Sequence, residues 1–452
     1  MKKSKRGSFS GRLGFVLAAA GSAVGLGNLW RFPYLAAKYG GSSFLVVYLL
    51  LAITFGFSLM IAEIAIGRKT GGSCLVAFKR IDRRFGFAGI LAAVVPALIM
   101  PYYSVIGGWI VKYLSVYCTG QAQAAAQDGY FTSFISSTTV PIVLQVLFLT
   151  ACAVIVSLGV EKGIEFVSRL LMPLLIVLSI VLAIYSCTLP GAMSGINYYL
   201  VPHFEDFSVM TILSALGQLF FSLSLAMGIM VTYGSYMPKE VDLEGAVTQI
   251  EIFDTLIAFL AGLMIIPAVF AFSGGDQSAL SAGPGLMFIT MPKVFASMPF
   301  GPVIGFVFFF LVLCAALTSA ISIIEAVVSS ICDQFHVSRK VSCLIYYVIA
   351  LALSLLCTLG YSVLSGVTPL GMQFLDFFDF ITNSILMPLS AILTCILIGW
   401  VVGTKVVADE VQLSSAFKRK EVFHIMIKWI TPICIIAILI TSILSALGVF
   451  AF

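Results

Sequence analysis

Apolar runs of about 20 residues recur along almost the whole chain, each closed by charges or by Gly and Pro, and that length matches the hydrocarbon thickness of a bilayer. They fall near 13–37, 42–67, 86–117, 139–158, 165–187, 210–237, 246–273, 302–332, 340–358, 372–402 and 421–449, which predicts an all-α polytopic membrane protein with about 11 transmembrane helices. Two of these runs carry weak points. The first is interrupted by Gly21-Ser22-Ala23-Val24-Gly25-Leu26-Gly27-Asn28 and the sixth by Ser222-Leu223-Ser224-Leu225-Ala226-Met227-Gly228. Glycine costs a helix interior about 1 kcal/mol relative to alanine, and lipid cannot satisfy a backbone carbonyl that the helix releases. Unwound backbone at that depth has to face a protein-lined cavity or a ligand, and paired breaks in two halves of a chain point to the binding site of a transporter.

Composition agrees with this class: 60% hydrophobic residues, 10% charged residues and a mean hydropathy of +1.11 exclude a soluble domain. The charges that remain are distributed by side. Lys2, Lys3, Lys5, Arg6 and Arg12 precede the first run. Arg68, Lys69, Lys79, Arg80, Arg83 and Arg84 follow the second, Lys162 and Arg169 flank the next such loop, and Lys239, Arg339, Lys340, Lys418, Arg419 and Lys420 mark later ones. The stretches 119–138, 190–209 and 359–371 hold neither Lys nor Arg. An excess of basic residues on alternate loops places the N-terminus in the cytoplasm and the protein as a multi-pass component of the cell's inner (plasma) membrane. The net charge of +5 is this bias and calls for no nucleic-acid partner. A basic start before an apolar run also has the shape of a secretory leader, but the apolar pattern resumes after Asn28 and runs on towards Tyr34.

The ten cysteines are scattered singly, without C-x-x-C spacing, and read as free thiols; Cys118 and Cys187 lie near the outer face, where pairing stays open. Three histidines, His203, His336 and His424, leave little for a haem or zinc site. Charges inside the runs are few and costly: Arg31, Glu63, Asp254, Glu325, Asp376 and Asp379. Glu63 and Glu325 either satisfy backbone freed by a broken helix, or pair within the bundle, or meet a ligand. A bare Na+ asks for about six hard oxygen ligands of modest charge, a mixture that released carbonyls, Ser/Thr hydroxyls, Asn and one carboxylate supply. Ala315-Ala316-Leu317-Thr318-Ser319 offers two adjacent hydroxyls and a carbonyl in the eighth run, although a Thr-Ser pair in a membrane helix more often bonds its own backbone.

These residues together resemble one family. Arg12-Leu13-Gly14, the run Gly21 to Asn28 and Leu29-Trp30-Arg31-Phe32-Pro33-Tyr34 are similar to the first helix of the neurotransmitter:sodium symporters. The likeness continues at Glu63-Ile64-Ala65-Ile66-Gly67-Arg68, Tyr102-Tyr103, Gln218 to Ser224, Thr232-Tyr233-Gly234-Ser235-Tyr236 and Ala315 to Ser319, and about 11 spans resemble the bacterial branch. The resemblance implies a 5+5 inverted repeat, about 13–187 and 210–402, with helices 1 and 6 broken, inside a transporter core 13–402. Residues 1–12 become a cytoplasmic gate segment, and 403–452 a cytoplasmic loop plus the eleventh helix.

It also implies sodium-coupled uptake of an amino acid by alternating access. One Na+ falls to carbonyls of Gly21, Val24 and Ala315 with the hydroxyls of Thr318 and Ser319. The second falls to Ala23, Asn28, Ser222 and Asp254, completed by the substrate's carboxylate, which links the affinities of ion and substrate reciprocally. Gly25 stands where monoamine members carry an aspartate, so a substrate with its own carboxylate is implied. The amides of Leu26 and Gly27 and the Tyr103 hydroxyl would receive it, and carbonyls near Ala23 and the Phe221 to Ser224 break would receive the ammonium. Ile99, Tyr103, Phe221, Ser224, Met227, Ser319 and Ile323 line the side-chain pocket, which suits a hydrophobic or aromatic amino acid. Taken alone, Tyr103 is equally an aromatic core residue.

The chain departs from the family pattern at Ala226, where glycine is frequent, and at the chloride site. Tyr48, Gln218 and Ser222 match that site, but Asp254 replaces an asparagine and Ala258 a serine. A built-in carboxylate in place of the anion predicts no chloride requirement; the plainer alternative is that Asp254 only neutralises sodium. Gates are implied at Arg31 and Asp379 outside and at Arg6, Tyr236 and Asp333 inside. The competing reading is a sodium-permeable channel or an amino-acid sensor on the same fold. No nucleophile-base pair or metal cluster suggests an enzyme.

Overall fold

The computed structural model describes residues 7–202, 205, 207–276, 279–280 and 283–446. Among them every regular element is helical, apart from a single antiparallel bridge between Gly41 and Pro202. Among the described residues nine helices are long and apolar enough to cross a bilayer unbroken: Ser42–Thr70, Arg83–Cys118, Thr139–Ser157, Val160–Cys187, Leu243–Ser273, Gly301–Phe335, Arg339–Leu359, Phe374–Val401 and Lys420–Leu444. The first run forms a bent pair, Arg12–Ala23 and Gly27–Lys38, with 53° between its halves. The sixth run, 210–237, is divided at the interruption seen in the sequence into two helices, Val209–Ser222 and Ile229–Gly234. At 1.5 Å per residue its longer piece reaches about 21 Å, short of the roughly 30 Å hydrocarbon core.

The first segment occupies the middle of the bundle. Arg12–Ala23 packs on Phe166–Cys187, Leu243–Ser273 and Gly301–Phe335, and every side chain from Gly14 to Leu29 is buried. Its small residues permit this, since Gly and Ala let helix backbones approach closely where no hydrophobic drive separates helix from lipid. One close crossing joins Phe57–Thr70 to Ile229–Gly234. A β-carbon on Gly67 would overlap the Val231 carbonyl, and one on Gly234 would overlap the backbone of Ile64. The outer helices instead present Leu147, Leu170, Ile184 and Ile433, each more than half exposed, as a lipid-facing surface.

All ten cysteines are free, so Cys118 and Cys187 do not pair.

Candidate functional site

The helix Arg12–Ala23 ends at Val24, whose backbone is extended (φ −74°, ψ 96°) while its N–H still donates to the Ala20 carbonyl at 2.7 Å. Helical geometry resumes at Leu26, and the next turn, Gly27–Arg31, is π-helical. The glycines between serve close approach. A β-carbon on Gly25 would stand 3.2 Å from Ser319 Oγ and 3.5 Å from the Tyr103 hydroxyl, and one on Gly27 would stand 2.8 Å from the Phe221 ring. Asn28 closes the break: its Oδ1 accepts from the Gly25 N–H at 3.1 Å.

The sixth segment breaks differently. Ser224, Ala226 and Gly228 all hold left-handed backbone, with φ of 52°, 60° and 67°. For the two non-glycine residues that conformation costs about 1–2 kcal/mol each, so neighbours must fix it. Ser224 Oγ donates to the Ser22 carbonyl at 3.0 Å, and the Ala226 N–H donates to Glu63 Oε1 at 2.7 Å. Glu63 therefore satisfies backbone released by the break, while its other oxygen is buried without a hydrogen-bond partner.

The two breaks meet at one cavity. Ala23, Gly25, Leu26, Gly27, Ile99, Tyr103, Phe221, Ser224, Met227, Ser319 and Ile323 line it together with Ser22, Asn28 and Ser222. Its volume of about 20 Å³ admits roughly one water, so a larger guest enters only as side chains such as Phe221 and Met227 move. The Tyr103 hydroxyl is buried there without a partner, which leaves a donor and acceptor for a guest.

Beside the cavity Asp254, wholly buried, collects three donors. Asn28 Nδ2 and Ser222 Oγ donate to its Oδ1 at 2.8 and 2.7 Å, and the Tyr48 hydroxyl donates to its Oδ2 at 2.9 Å. Gln218 Nε2 donates to the Gly27 carbonyl at 3.0 Å, and its Oε1 is buried without a partner. Ala258 is fully buried. On the far side of the first segment, Gly21 packs on Thr318: a β-carbon there would be 3.1 Å from Thr318 Cβ. Thr318 Oγ1 donates to the carbonyls of Cys314 and Ala315, both at 3.1 Å, which is the back-bonding expected of such a residue in any membrane helix. Both clusters are oxygen-rich and hold at most one carboxylate, a donor set suited to a hard monovalent cation rather than to a transition metal.

The structure spreads the expected gates unevenly. The Arg31 guanidinium lies 5.8 Å over the Phe221 ring, and Asp379 accepts from Asn383 Nδ2 at 2.5 Å; among the described residues the two do not come within ion-pair distance of each other. At the other end Arg6 lies outside the described residues. Tyr236 donates from its hydroxyl to Glu325 at 2.6 Å, Arg339 bridges both oxygens of Glu325, and Asp333 accepts from the Ser73 N–H at 2.7 Å. Glu325 thus pairs, one of the readings its sequence position offered, but its partner could not be named there because Arg339 reads as a loop residue. Three further clusters at this end were missed. Ser10 and Arg169 both bond the buried Glu165. Arg68 and Lys239 share Glu410. Arg419 reaches Glu244 and Glu251. Apart from Arg169 and Glu165, which are one helical turn apart, each contact joins residues more than 150 positions apart, beyond any local pattern. Asp242, just before Leu243–Ser273, titrates below its ordinary range: partial burial pushes it up, and bonds from Ser415 and Gly245 with the charges of Arg12 and Lys418 outweigh that.

Comparison with known proteins places this geometry. A profile of the "Sodium:neurotransmitter symporter family" matches residues 6–127 and 132–449. An uncharacterized sodium-dependent transporter of Bacillus subtilis, YhdH, is 36% identical over 100% of both chains. Another from Methanocaldococcus jannaschii is 33% identical over 97% of this chain and 90% of its own. The sodium- and chloride-dependent GABA transporter 2 of mouse is 26% identical over 98% of this chain and 80% of its own. The crystal structure of MhsT in complex with L-phenylalanine is 38% identical, covers 97% of this chain and 100% of that one, and superposes with a TM-score of 0.87.

Proposed function

The chain belongs to the sodium:neurotransmitter symporter family, and we propose that it carries hydrophobic or aromatic amino acids inward across the cell membrane, coupled to two Na+ ions and without chloride. The observation that carries this reading is the cavity where both breaks converge, with the Asn28–Asp254–Ser222 cluster at its wall.

In this reading the substrate carboxylate meets the Leu26 and Gly27 amides and the unpaired Tyr103 hydroxyl, and also completes the coordination of the ion beside Ala23, Asn28, Ser222 and Asp254. The ammonium faces carbonyls of the sixth-segment break. Ile99, Met227 and Ile323 take the apolar side chain, and Met227 repacks around different shapes. The second ion sits between Gly21, Val24, Ala315, Thr318 and Ser319, where the Thr318 hydroxyl turns its lone pairs to the cation. A chain inserted with its N-terminus in the cytoplasm then opens alternately to either side, with 1–12, Tyr236 and Asp333 at the inner gate and Arg31 and Asp379 at the outer. Each Na+ entering down a potential of about 100 mV contributes roughly 2.3 kcal/mol, against about 1.4 kcal/mol for tenfold accumulation of a neutral solute, so even one ion suffices.

The absence of a chloride requirement follows from Asp254. Tyr48 and Ser222 are the hydroxyls that would solvate an anion, and both donate to this carboxylate instead. Radiolabelled uptake into proteoliposomes with an imposed Na+ gradient tests the whole reading. Leu, Trp, Tyr and Phe are expected to accumulate above equilibrium with or without chloride and to lose accumulation when K+ replaces Na+. Ion current without uptake would turn the reading to a channel, and binding alone to a sensor. Asp254→Asn is expected to make uptake depend on chloride; uptake that stays indifferent to the anion would remove Asp254 from this role.

A further inference from the structure

The helix Arg83–Cys118 and the helix Phe374–Val401 leave a groove of about 460 Å³ between them, lined by Phe87, Ile90, Leu91 and Val94 on one side and Leu389, Ile392 and Leu393 on the other. Every lining residue is apolar, and Phe87 and Ile90 are more than half exposed. Separated from Phe87 by Phe85 and Gly86 is the run Lys79-Arg80-Ile81-Asp82-Arg83-Arg84, four basic residues against one acid. Arg84 pairs with that acid at 2.8 Å, and Arg80 donates to the Thr70 carbonyl at 3.0 Å. Lys79 and Arg83 are exposed, and among the described residues neither comes within 4.0 Å of a carboxylate. The contrast with the same end of the bundle is direct, since Arg12, Arg68, Arg169, Arg339 and Arg419 each have one.

The Lys79 stem sits over Gly86, where a β-carbon would be 3.7 Å from it, so the stem stands one residue from the groove wall at Phe87. Phe85 stacks on Phe87 at 5.9 Å and fixes the transition from polar to apolar surface. An apolar groove that begins beneath uncompensated basic side chains is complementary to a lipid with an acyl tail and an anionic head.

We propose that this groove binds one anionic diacyl phospholipid, its acyl chain along Phe87, Ile90, Val94, Leu389 and Ile392 and its phosphate at Lys79 and Arg83. That the lipid comes from the cytoplasmic leaflet rests on the orientation proposed above; the site itself does not.

Native mass spectrometry of the purified full chain, titrated with dioleoyl phosphatidylglycerol, tests it without any transport assay. The parent is expected to retain a single lipid, and dioleoyl phosphatidylcholine and soluble glycerol 3-phosphate are expected not to displace it. Replacing Lys79→Ala with Arg83→Ala is expected to weaken retention about 30-fold, as for two charges at the membrane surface. Leu389→Trp, which fills the groove and leaves the charges alone, is expected to weaken it as well. The pair Lys418→Ala and Lys420→Ala removes equal charge from the same end and is expected to change nothing. Unchanged retention in either groove variant would overturn the site, as would equal loss in the control pair or displacement by phosphatidylcholine or glycerol 3-phosphate. The two groove variants alter opposite ends of the site, so if one fails to fold the other still decides.

Discussion

The two breaks solve one problem by different means. The first opens the helix over two residues, Val24 and Gly25, without a single left-handed backbone angle, and the glycines at it are there for what a side chain would strike: Ser319, Tyr103 and the Phe221 ring. The sixth opens over six residues by placing every second one, Ser224, Ala226 and Gly228, in left-handed geometry, and two of the three are not glycine. Space governs the first break and dihedral angle the second. Groups from elsewhere hold the second, the Glu63 carboxylate accepting from the Ala226 N–H and the Ser22 carbonyl from Ser224 Oγ, whereas Asn28 serves the first from within.

Substitutions that exchange these requirements should fail in different ways. Gly228→Ala carries the largest expected effect. It imposes a left-handed alanine whose β-carbon lies 2.6 Å from Cys74 Sγ and 2.9 Å from the Ala92 carbonyl. A loss of about 3 kcal/mol or more is expected, seen as a collapse of monodisperse protein and of the melting temperature in detergent. A normal melting curve would show that the break re-forms with another geometry. Gly25→Ala should leave melting unchanged and raise the apparent KM of amino-acid uptake about tenfold, because its β-carbon enters the cavity rather than the backbone of a neighbour. If it destabilises instead, the glycine serves conformation and the distinction fails. The smallest effect belongs to Ala226→Gly, where relief of left-handed strain opposes the greater chain entropy of glycine; melting within about 1 kcal/mol of the parent is expected. A large gain in stability would mean that Glu63 does not hold this turn as tightly as its 2.7 Å bond suggests.

What could be read from the chain divides along the same line. The long apolar runs appear as helices because length and hydropathy decide a membrane span almost alone, and the first break announced itself through three glycines within seven residues. The second was visible only by its hydroxyls and one glycine, and nothing in the preferences of Ser224 or Ala226 foretells left-handed backbone; tertiary bonds impose it. The gathering of Tyr48, Asn28, Ser222 and Asp254 was legible through family resemblance, since residues up to 226 positions apart share no local period. The pairing of Glu325 with Arg339, and of Arg68 with Glu410, lay beyond both routes, because opposite charges on separate helices find each other only once the bundle is packed.

The crossing of Phe57–Thr70 and Ile229–Gly234 has a consequence of another kind. Gly67 and Gly234 each face the other helix's backbone with no side chain between, so neither position has a smaller residue to shrink to or any room to grow. A change at one cannot be balanced by a change at the other. Among related chains this contact would therefore leave no trace of correlated substitution. Methods that infer proximity from residues that vary together would be blind to one of the closest approaches in the molecule.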